Sequence, residues 1–453
     1  MSRSRRTVRA VSVPLPLEGV RVVDLTGVWA GSFSTAILGD LGAEVLKAEN
    51  QYVWQPLTRG SRAHPTPEEV KNYPSTICFP NNDPGERSWN YCSLFVGMFR
   101  NKRSFTVDLR RPEGREILGR VIAQSDVVIE NSLAGTMEKL GITYEWLREQ
   151  RDDIIFVRAS GYGLSGDYSD ARVLGIHLES VMGHQMLRGY EGDDPIIGVF
   201  AADYVSGTQI ALSVLFALWH RNNTGEGQLI ELAQAENAVA MFSHAYLDYA
   251  LTGNVQRAIG NRSIYAADGV APAGLYPCLP ADHGGEGDDC WIAITISSDA
   301  EWEALRGVMG DPAWAAAPEL ATGAGRAARQ DLLDANLAEW TCQFEDERLF
   351  HRLQEAGIPA APVLHAWRVL ADPHVQSRDL YQPCELEDDI GEYLYPGPLY
   401  ALPASEGGIR RPPVALGQDN DYVYRDLLGV SDDEYDRLVA EGHIATKYDE
   451  SVR

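Results

Sequence analysis

The chain has 453 residues, which exceeds the size of one ordinary hydrophobic core and predicts two domains. Its 39 basic and 65 acidic residues give a formal net charge of −26, which disfavours nucleic acid and membrane surfaces as partners. The six cysteines form no CxxC pair and no spacing with histidine that suits zinc, so we expect reduced thiols, no metal and a cytoplasmic protein.

The N-terminal segment does not resemble an export signal. Residues 1–16 carry four arginines and two prolines and no small-residue cleavage site, which predicts a disordered tail. No apolar run approaches the ~20 residues that span a bilayer, so we predict no membrane-spanning segment.

Strands and helices alternate along the first half of the chain. The segments GVRVVDLT (19–26) and AEVLKAEN (43–50) have the pattern of buried strands, and the segment between them has the apolar spacing of a helix. RSFTVDL, DVVIEN and IIFVRAS are further predicted strands within the same alternation. This order predicts the α/β class, with a parallel, doubly wound sheet and a ligand crevice at the carboxyl ends of its strands.

Two segments interrupt the alternation. Residues 51–92 are rich in Pro, Asn and aromatic residues and are predicted to be an insertion. Its large aromatic residues indicate a pocket bigger than the smallest acids need: Tyr52, Trp54, Trp89 and Tyr91. Gly and Pro accumulate again over 253–287, after which an α+β pattern predicts a second, smaller domain.

Two motifs are weak evidence on their own. Gly161, Gly163 and Gly166 have the GxGxxG spacing of dinucleotide sites, but turn-forming residues follow where that motif should open a helix, which predicts a glycine-rich turn. The segment 100–115 has six basic residues against two acidic ones, which suits either phosphate binding or a solvated surface.

One acid lies where an apolar segment meets a long apolar helix, in GVFAADYVSGTQIALSVLFALWHR (198–221). The pattern alone favours Asp203 as a helix N-cap, which typically contributes ~1 kcal/mol. The alternative is a nucleophile, since an aspartate with the usual pKa of about 3.9 is ionised at neutral pH and needs no neighbouring base.

Six segments, in order, resemble the landmarks of one family. They are LEGVRVVDLTGVWAGSFSTAILGDLGAEVLKAE, NKRSFTVDLRRPEGREIL, SDVVIENSLAGTMEKLGITYEWL, ASGYGLSGDY, RNNTGEGQLIELAQAENA and AGIPAAPVLHAWRVLADPHVQSRDLY. Together they resemble the class III coenzyme A transferases, the family of formyl-CoA transferase, carnitine CoA-transferase and the CaiB/BaiF proteins.

The resemblance implies a Rossmann-like large domain built from both chain ends, a smaller α+β domain, and an interlocked homodimer with active sites between domains of different subunits. The expected bounds are 17–235 for the large domain with its insertion, 236–265 for a linker, 266–385 for the small domain, and 386–453 for a return linker and C-terminal helix.

The resemblance also changes the interpretation of Asp203 from helix cap to nucleophile. The family implies transfer of coenzyme A from an acyl-CoA thioester to a free carboxylic acid, through an aspartyl anhydride and an aspartyl-CoA thioester, without a metal. Backbone donors for the oxyanions are expected at the helix start, 204–207, and in a lid segment, 267–274, whose Gly269 and Gly274 would line the substrate pocket.

Matching family positions predict the contacts with coenzyme A. The backbone of Val28 and Ala30 and the side chain of Asn131 are expected to hold it, and Trp29 to face the acyl group. Basic residues are expected at its phosphates, namely Arg59, Lys102, Arg103, Lys139 and Arg172.

Two alternatives stay open in the sequence. An α-methylacyl-CoA racemase on the same scaffold would need a histidine near Leu174, and the nearby His177 and His184 are expected to be structural. A non-catalytic partner subunit that binds coenzyme A would not need Asp203.

Overall fold

The computed structural model describes residues 13–55, 57–72, 78–196, 201–280, 289–386, 391–405 and 407–452. The strands are β1 (Arg21–Asp24), β2 (Glu44–Glu49), β3 (Lys102–Thr106), β4 (Val127–Glu130), β5 (Ile155–Arg158), β6 (Leu229–Glu231), β7 (Ala273–Pro277), β8 (Trp291–Thr295), β9 (Ala360–Val363), β10 (Tyr381–Glu385) and β11 (Glu392–Pro396). The α-helices are α1 (Val28–Asp40), α2 (Pro67–Lys71), α3 (Ser93–Val96), α4 (Pro112–Ile122), α5 (Thr136–Lys139), α6 (Tyr144–Gln150), α7 (Gly175–Val181), α8 (Ala201–Thr224), α9 (Gln234–Val239), α10 (Ser243–Thr252), α11 (Asp299–Met309), α12 (Gly323–Ala327), α13 (Gln330–Thr341), α14 (Asp346–Glu355), α15 (Ala366–Ala371), α16 (Pro373–Ser377) and α17 (Asp432–Ala440).

A parallel sheet organises the first of two compact units, which comprises Met1–Met182, Gly198–His244 and Asp379–Arg453. Its six strands have the order β3-β2-β1-β4-β5-β6, and every pairing is parallel. The predicted α/β class and the five predicted strands are confirmed. The order reverses between β1 and β4, which defines a switch point where a crevice opens beyond the carboxyl ends of the strands.

Helices cover both faces of this sheet because its strands are apolar on both sides. Val22 and Val127 face a core that includes residues of α1 and α8. The alternate residues Val23 and Val128 face the other core, to which α4, α6 and the C-terminal segment contribute. Leu438 of α17 is buried in that second core.

The second compact unit comprises Gly183–Ile197 and Ala245–Arg378. A three-stranded antiparallel sheet, in the order β7-β8-β9, forms one side of its core. Ile292 and Ile294 of β8 pack with Trp302 of α11 and Leu337 of α13. This unit therefore has its own hydrophobic core.

Two expectations about the ends and faces of the chain are corrected. Residues 1–12 of the predicted tail lie outside the described residues, but 13–16 are not disordered. The Val13 N–H donates to the Ala404 carbonyl at 3.0 Å, and Leu15 is buried. Within the described residues, α8 alone is long and apolar enough to span a membrane, contrary to the expectation, but half of its apolar window is buried and Ile210 and Val214 pack in the core.

Candidate active site

The loop after β1 is fixed where the strand order reverses. The side chain of Asn131, just after β4, accepts from the Gly27 N–H at 2.7 Å and donates to the Gly27 carbonyl at 2.8 Å. The Val28 N–H donates to Thr58 Oγ1 at 2.7 Å. Val28 has φ of 57°, a left-handed conformation that costs a β-branched residue on the order of 1–3 kcal/mol. The surrounding hydrogen bonds therefore hold the first residue of α1 in a strained backbone conformation at the switch point.

A buried ion network lies behind this loop and includes Lys102. Asp24, the last residue of β1, pairs with Lys47 at 3.1 Å and with Lys102 at 3.3 Å, and Lys102 Nζ also donates to the Ser32 carbonyl at 2.8 Å. Burial lowers the pKa of Lys102 to about 8, although the Asp24 carboxylate favours its charged form. The phosphate role predicted for Lys102 is wrong, because its ammonium is fully buried and paired with Asp24.

Arg59 is also part of the core. Its guanidinium forms a bidentate pair with Glu49 at 2.6 and 2.7 Å and donates to the Val414 carbonyl at 3.1 Å. It also lies 4.3 Å from the centre of the Phe95 ring. The predicted phosphate contact of Arg59 is wrong, because the insertion folds back and pairs this side chain with the acid that ends β2.

Arg103 lies near the beginning of β3, away from the carboxyl ends of the strands. It pairs with Asp419 at 2.8 Å and Glu44 at 3.2 Å and stacks on Tyr422 at 3.9 Å. Because Glu44 begins β2, this cluster marks the amino-terminal edge of the parallel sheet. The predicted phosphate contact of Arg103 is therefore wrong as well.

A cavity of about 520 Å³ opens at the switch point. Four predicted site residues line it, and they come from four separate segments of the first unit: Val28, Asn131, Arg172 and Asp203. The other lining residues are Ser132, Leu133, Thr136, Gly161, Ala171, Val173, Leu174, Gly175, Leu178 and Gln234. The fold thus gathers in one place residues that are up to 206 positions apart in the sequence, from Val28 to Gln234.

Two cations remain available near this cavity. Arg172 is exposed on its wall, and Lys139 is exposed at the end of α5, close in sequence to the lining residue Thr136. Among the described residues, neither side chain has an ion-pair or hydrogen-bond partner. Both can therefore accept an anionic group without breaking an internal contact.

Asp203 lies in the first turn of α8, with 7% of its surface exposed. Its carboxylate has no hydrogen-bond partner among the residues that the structure describes. An N-capping aspartate precedes the first turn and accepts from its amides. Since α8 begins at Ala201, Asp203 is inside the helix and is not a cap. For the same reason the amides of Ser206 and Gly207 belong to the helical ladder, and the expectation that the segment 204–207 provides free donors is wrong.

A second carboxylate accompanies Asp203. Glu179 of α7 is fully buried, and its Oε1 accepts from the Ala202 N–H at 3.5 Å. Burial, together with the negative charge of Glu179, raises the pKa of Asp203 to about 7. The expectation of an ordinary, fully ionised aspartate is therefore corrected, because near pH 7 about half of the carboxyl groups are protonated.

The close crossing of α1 and α8 positions Asp203 beside the switch point. A Cβ atom on Gly207 would lie 2.7 Å from the Ala30 carbonyl, so the two backbones meet at this glycine. Ala30 is buried in this contact. The ring of Tyr204 packs 5.0 Å from that of Phe33 and 6.3 Å from that of Trp29. Trp29 thus contacts the residue next to Asp203, and its role toward an acyl group stays a prediction.

Gly269 and Gly274 belong to the second unit. Gly269 packs against Gly323, whose added Cβ would lie 2.6 Å from the Gly269 carbonyl, and Gly274 lies within β7. Between them, the Ala271 carbonyl accepts from Arg326 Nε at 2.7 Å. Within its own unit the segment 267–274 is thus held by packing and hydrogen bonds, and its lid role stays a prediction.

Described aromatic residues of the insertion pack against other aromatic side chains. Tyr448, near the C-terminus, packs with Trp54 at 4.9 Å and with Trp89 at 5.5 Å between ring centres. Tyr91 is buried in a small cluster with Phe79. Trp54 and Trp89 therefore tie the insertion to the C-terminal segment, and the inference of a larger substrate pocket stays a prediction.

The described residues include one group with metal-ligand chemistry, formed by Glu113, Glu441 and His443. Arg437 donates to Glu113 at 2.6 Å and to Glu441 at 3.0 Å, so a guanidinium already neutralises both acids. His443 Nδ1 accepts from the Asp108 N–H at 3.3 Å, which places the ring proton on Nε2, the nitrogen that faces Glu113. A protonated nitrogen cannot bind a metal, so this donor set suits an ion-pair cluster.

The sequence patterns missed Glu179 and Gln234. Gln234 lines the cavity and its side chain donates to the Ala159 carbonyl at 2.7 Å, which fixes the turn after β5. The available signal for Glu179 was a lone acid in the otherwise apolar stretch of α7. Leu174, where a racemase would need histidine, begins the α7 turn and lines the cavity. No helix opens after the GxGxxG segment until α7, which confirms the predicted turn.

Comparison with known proteins shows the family of the chain. The sequence model of CoA-transferase family III matches residues 17–420. The succinyl-CoA–D-citramalate CoA-transferase of Chloroflexus aurantiacus is 31% identical over 94% of this chain and 98% of its own length. The succinyl-CoA:mesaconate CoA-transferase of Haloarcula marismortui is 30% identical over 80% of this chain and 84% of its own length. The crystal structure of a CaiB/BaiF family protein from Brucella suis superposes with a TM-score of 0.75 at 25% identity, over 92% of this chain and 100% of that one.

The fold and these matches define an enzyme of the coenzyme A transferase class. The chain belongs to CoA-transferase family III, which confirms the resemblance found in the sequence. The comparisons do not favour the racemase alternative, since the named relatives are CoA-transferases.

Proposed function

We propose that the protein transfers coenzyme A from an acyl-CoA thioester to a free carboxylic acid, with Asp203 as the nucleophile. The observation that carries this proposal is a buried carboxylate on the wall of a cavity at the switch point, in a chain of this family. Val28, Ala30 and Asn131 are assigned to coenzyme A, with Lys139 and Arg172 at its phosphates.

The reaction proceeds by two acyl exchanges on Asp203. The carboxylate attacks the thioester carbonyl, the C–S bond breaks, and a mixed anhydride and CoA thiolate result. The thiolate then attacks the aspartyl carbonyl, which releases the donor acid and leaves an aspartyl-CoA thioester. The incoming carboxylate repeats these steps in reverse and regenerates Asp203, so no water or proton is consumed overall.

The chain supplies charge stabilisation for the oxyanions of these steps. The first amides of α1 follow Val28 at the cavity, and a helix N-terminus carries a partial positive charge and N–H groups without helical partners. The backbone of this first turn of α1 is assigned to the developing oxyanion. Only the ionised form of Asp203 can attack, so the rate is expected to rise with pH through about 7.

Succinyl-CoA is the first donor to test, because both relatives described above are named for it. The acceptors to test with it are short dicarboxylic acids, with citramalate and mesaconate as the starting pair. All six cysteines are free thiols in the structure, which supports the assignment to the cytoplasm.

We also propose that the enzyme is a homodimer. Phe216 and Trp219 of α8 are 63% and 71% exposed, and Leu251 of α10 is 81% exposed. Large apolar side chains left this open are typical of surfaces that a partner covers. Light scattering coupled to size-exclusion chromatography is expected to show twice the chain mass, and a monomer at micromolar concentration would reject the dimer.

The nucleophile is tested by mass spectrometry. Incubation with an acyl-CoA should add the acyl or CoA mass to the peptide that contains Asp203, and hydroxylamine should remove it. Asp203→Asn should abolish both the adduct and CoA exchange. An unlabelled peptide, together with activity that survives Asp203→Asn, would overturn the proposal.

A further inference from the structure

A second acid at the active site has no role in the chemistry proposed above. Glu179 is fully buried on α7, and its Oε1 contacts the Ala202 N–H, the amide next to Asp203 in the chain. That amide is in the first turn of α8, where N–H groups lack helical partners. A carboxylate from another helix therefore holds the turn that carries the nucleophile.

We propose that Glu179 is a positioning residue that holds the first turn of α8 by its contact with Ala202 and places a negative charge beside Asp203, which makes the nucleophile more basic. This inference rests on the proposed role of Asp203. A more basic carboxylate is a better nucleophile once it is ionised.

The surroundings of Asp203 make Glu179 the main charge that acts on it. The first turns of α1, which pack near Asp203, contain no charged side chain. Arg172 lines the same cavity, but it is exposed, so solvent screens its charge. Burial is the main cause of the raised pKa of Asp203, and the charge of Glu179 raises it further. The other titratable groups on α8 and on the elements packed around it are His177 of α7, Glu236 of α9, Arg158 of β5, Asp40 at the far end of α1, and Tyr204, His220 and Arg221 of α8 itself.

Three variants separate the two parts of this role. Glu179→Gln keeps an oxygen that can accept from Ala202 and removes the charge. Glu179→Ala removes both. Glu236→Gln is the matched control, because it removes one exposed carboxylate from α9, which also packs on α8.

The measurement is the rate of Asp203 labelling by an acyl-CoA in single turnovers between pH 5 and 9. We expect the pH midpoint of Glu179→Gln to fall by about one unit relative to the unmodified protein, since a neighbouring like charge raises a carboxyl pKa by this order. Glu236→Gln should keep the original midpoint. Glu179→Ala should share the lower midpoint and label more slowly than Glu179→Gln at every pH, because it alone loses the contact with Ala202.

A midpoint that is unchanged in both Glu179 variants would overturn the inference and leave the proposed function intact. If the unmodified protein is not labelled at any pH, the proposed function fails instead. The inference is then decided by ¹³C-carboxyl NMR titration of Asp203, assigned with Asp203→Asn, which needs no turnover. Glu179→Ala serves for this titration if Glu179→Gln does not fold.

Discussion

At the scale of single residues, the active site places a carboxylate where water is largely excluded. Asp203 is 7% exposed and lies next to a second buried acid, Glu179. Removing an ionised carboxylate from water is unfavourable, and a neighbouring like charge adds to that cost. Catalytic function and stability therefore have opposite requirements at this position.

Asp203→Asn is expected to stabilise the protein in a pH-dependent way. The folded pKa of Asp203, about 7, lies above the unfolded value of about 3.9, so protonation favours the folded state and stability is lost as pH rises between these values. At pH 8 the variant should gain roughly 2–4 kcal/mol in free energy of unfolding, and near pH 4 almost nothing. Denaturant unfolding at both pH values measures the difference.

The exposed Asp152 provides a control, because Asp152→Asn should change stability little at either pH. Equal effects of Asp203→Asn at pH 4 and pH 8 would show that the buried charge is not the cause.

Arg172 and Arg103 make a second residue-scale comparison. Arg172→Ala is expected to raise the KM for acyl-CoA about tenfold, because a charge-assisted hydrogen bond to a phosphate contributes ~1.5–3 kcal/mol. Arg103→Ala should leave this KM unchanged, since Arg103 lies at the opposite edge of the sheet, and should lower the free energy of unfolding by about 1 kcal/mol. Steady-state kinetics and denaturant titration distinguish the two.

If both variants change KM alike, the assignment of the two edges of the sheet to different roles is wrong. The sequence could not separate these arginines, because the family resemblance predicts a phosphate contact for both. Their difference depends on which end of a strand each one occupies.

At the scale of secondary structure elements, the contact between α1 and α8 determines where Asp203, the proposed nucleophile, lies. α1 begins at the switch point with the strained Val28, and α8 carries Asp203 one turn before Gly207. The absence of a side chain at Gly207 allows the helix backbones to approach closely. The site therefore depends on the fit of two helices that are distant in the sequence.

Gly207→Ala is expected to lower the free energy of unfolding by about 1–3 kcal/mol, because the added Cβ would lie 2.7 Å from the Ala30 carbonyl and 2.9 Å from the Phe33 ring. It should also slow Asp203 labelling, since α8 must shift. Thermal unfolding and single-turnover labelling measure these effects.

Gly307→Ala is the matched control. Gly307 lies within α11, and no atom is within 4 Å of its added Cβ, so this substitution should stabilise the protein by ~0.5–1 kcal/mol. A destabilisation of the same size at both glycines would contradict the close-contact explanation for Gly207.

At the scale of the whole molecule, the first unit is assembled from three separate parts of the chain. The C-terminal part contributes buried residues to the core on one face of the parallel sheet; they are Val423, Tyr424, Val430, Leu438 and Ile444. The Tyr424 hydroxyl also donates to the Thr106 carbonyl at 2.7 Å, at the end of β3. This face of the sheet is therefore covered only when residues 423–444 are present.

Ending the chain after residue 420 is expected to prevent stable folding of the first unit. Each large apolar side chain removed from a core costs about 2–5 kcal/mol, so five such losses cost about 10–25 kcal/mol, which is at least comparable to the usual stability of a domain, about 5–15 kcal/mol. Near-ultraviolet circular dichroism should show lost tertiary packing and the truncated protein should aggregate. A truncated protein with a cooperative unfolding transition would contradict this expectation.

Local pattern was sufficient for the order of strands and helices, the α/β class, the family and the place of Asp203, because alternation of apolar residues and motif spacing involve neighbours in the chain. Tertiary structure decided which cations are available at the cavity and how acidic Asp203 is. Lys102, Arg59 and Arg172 are basic residues for which the sequence predicts the same phosphate role. In the structure Lys102 is buried beside Asp24 and Arg59 beside Glu49, whereas Arg172 lines the cavity. Burial and charge interactions depend on distances between residues far apart in the chain, and only the folded molecule sets those distances.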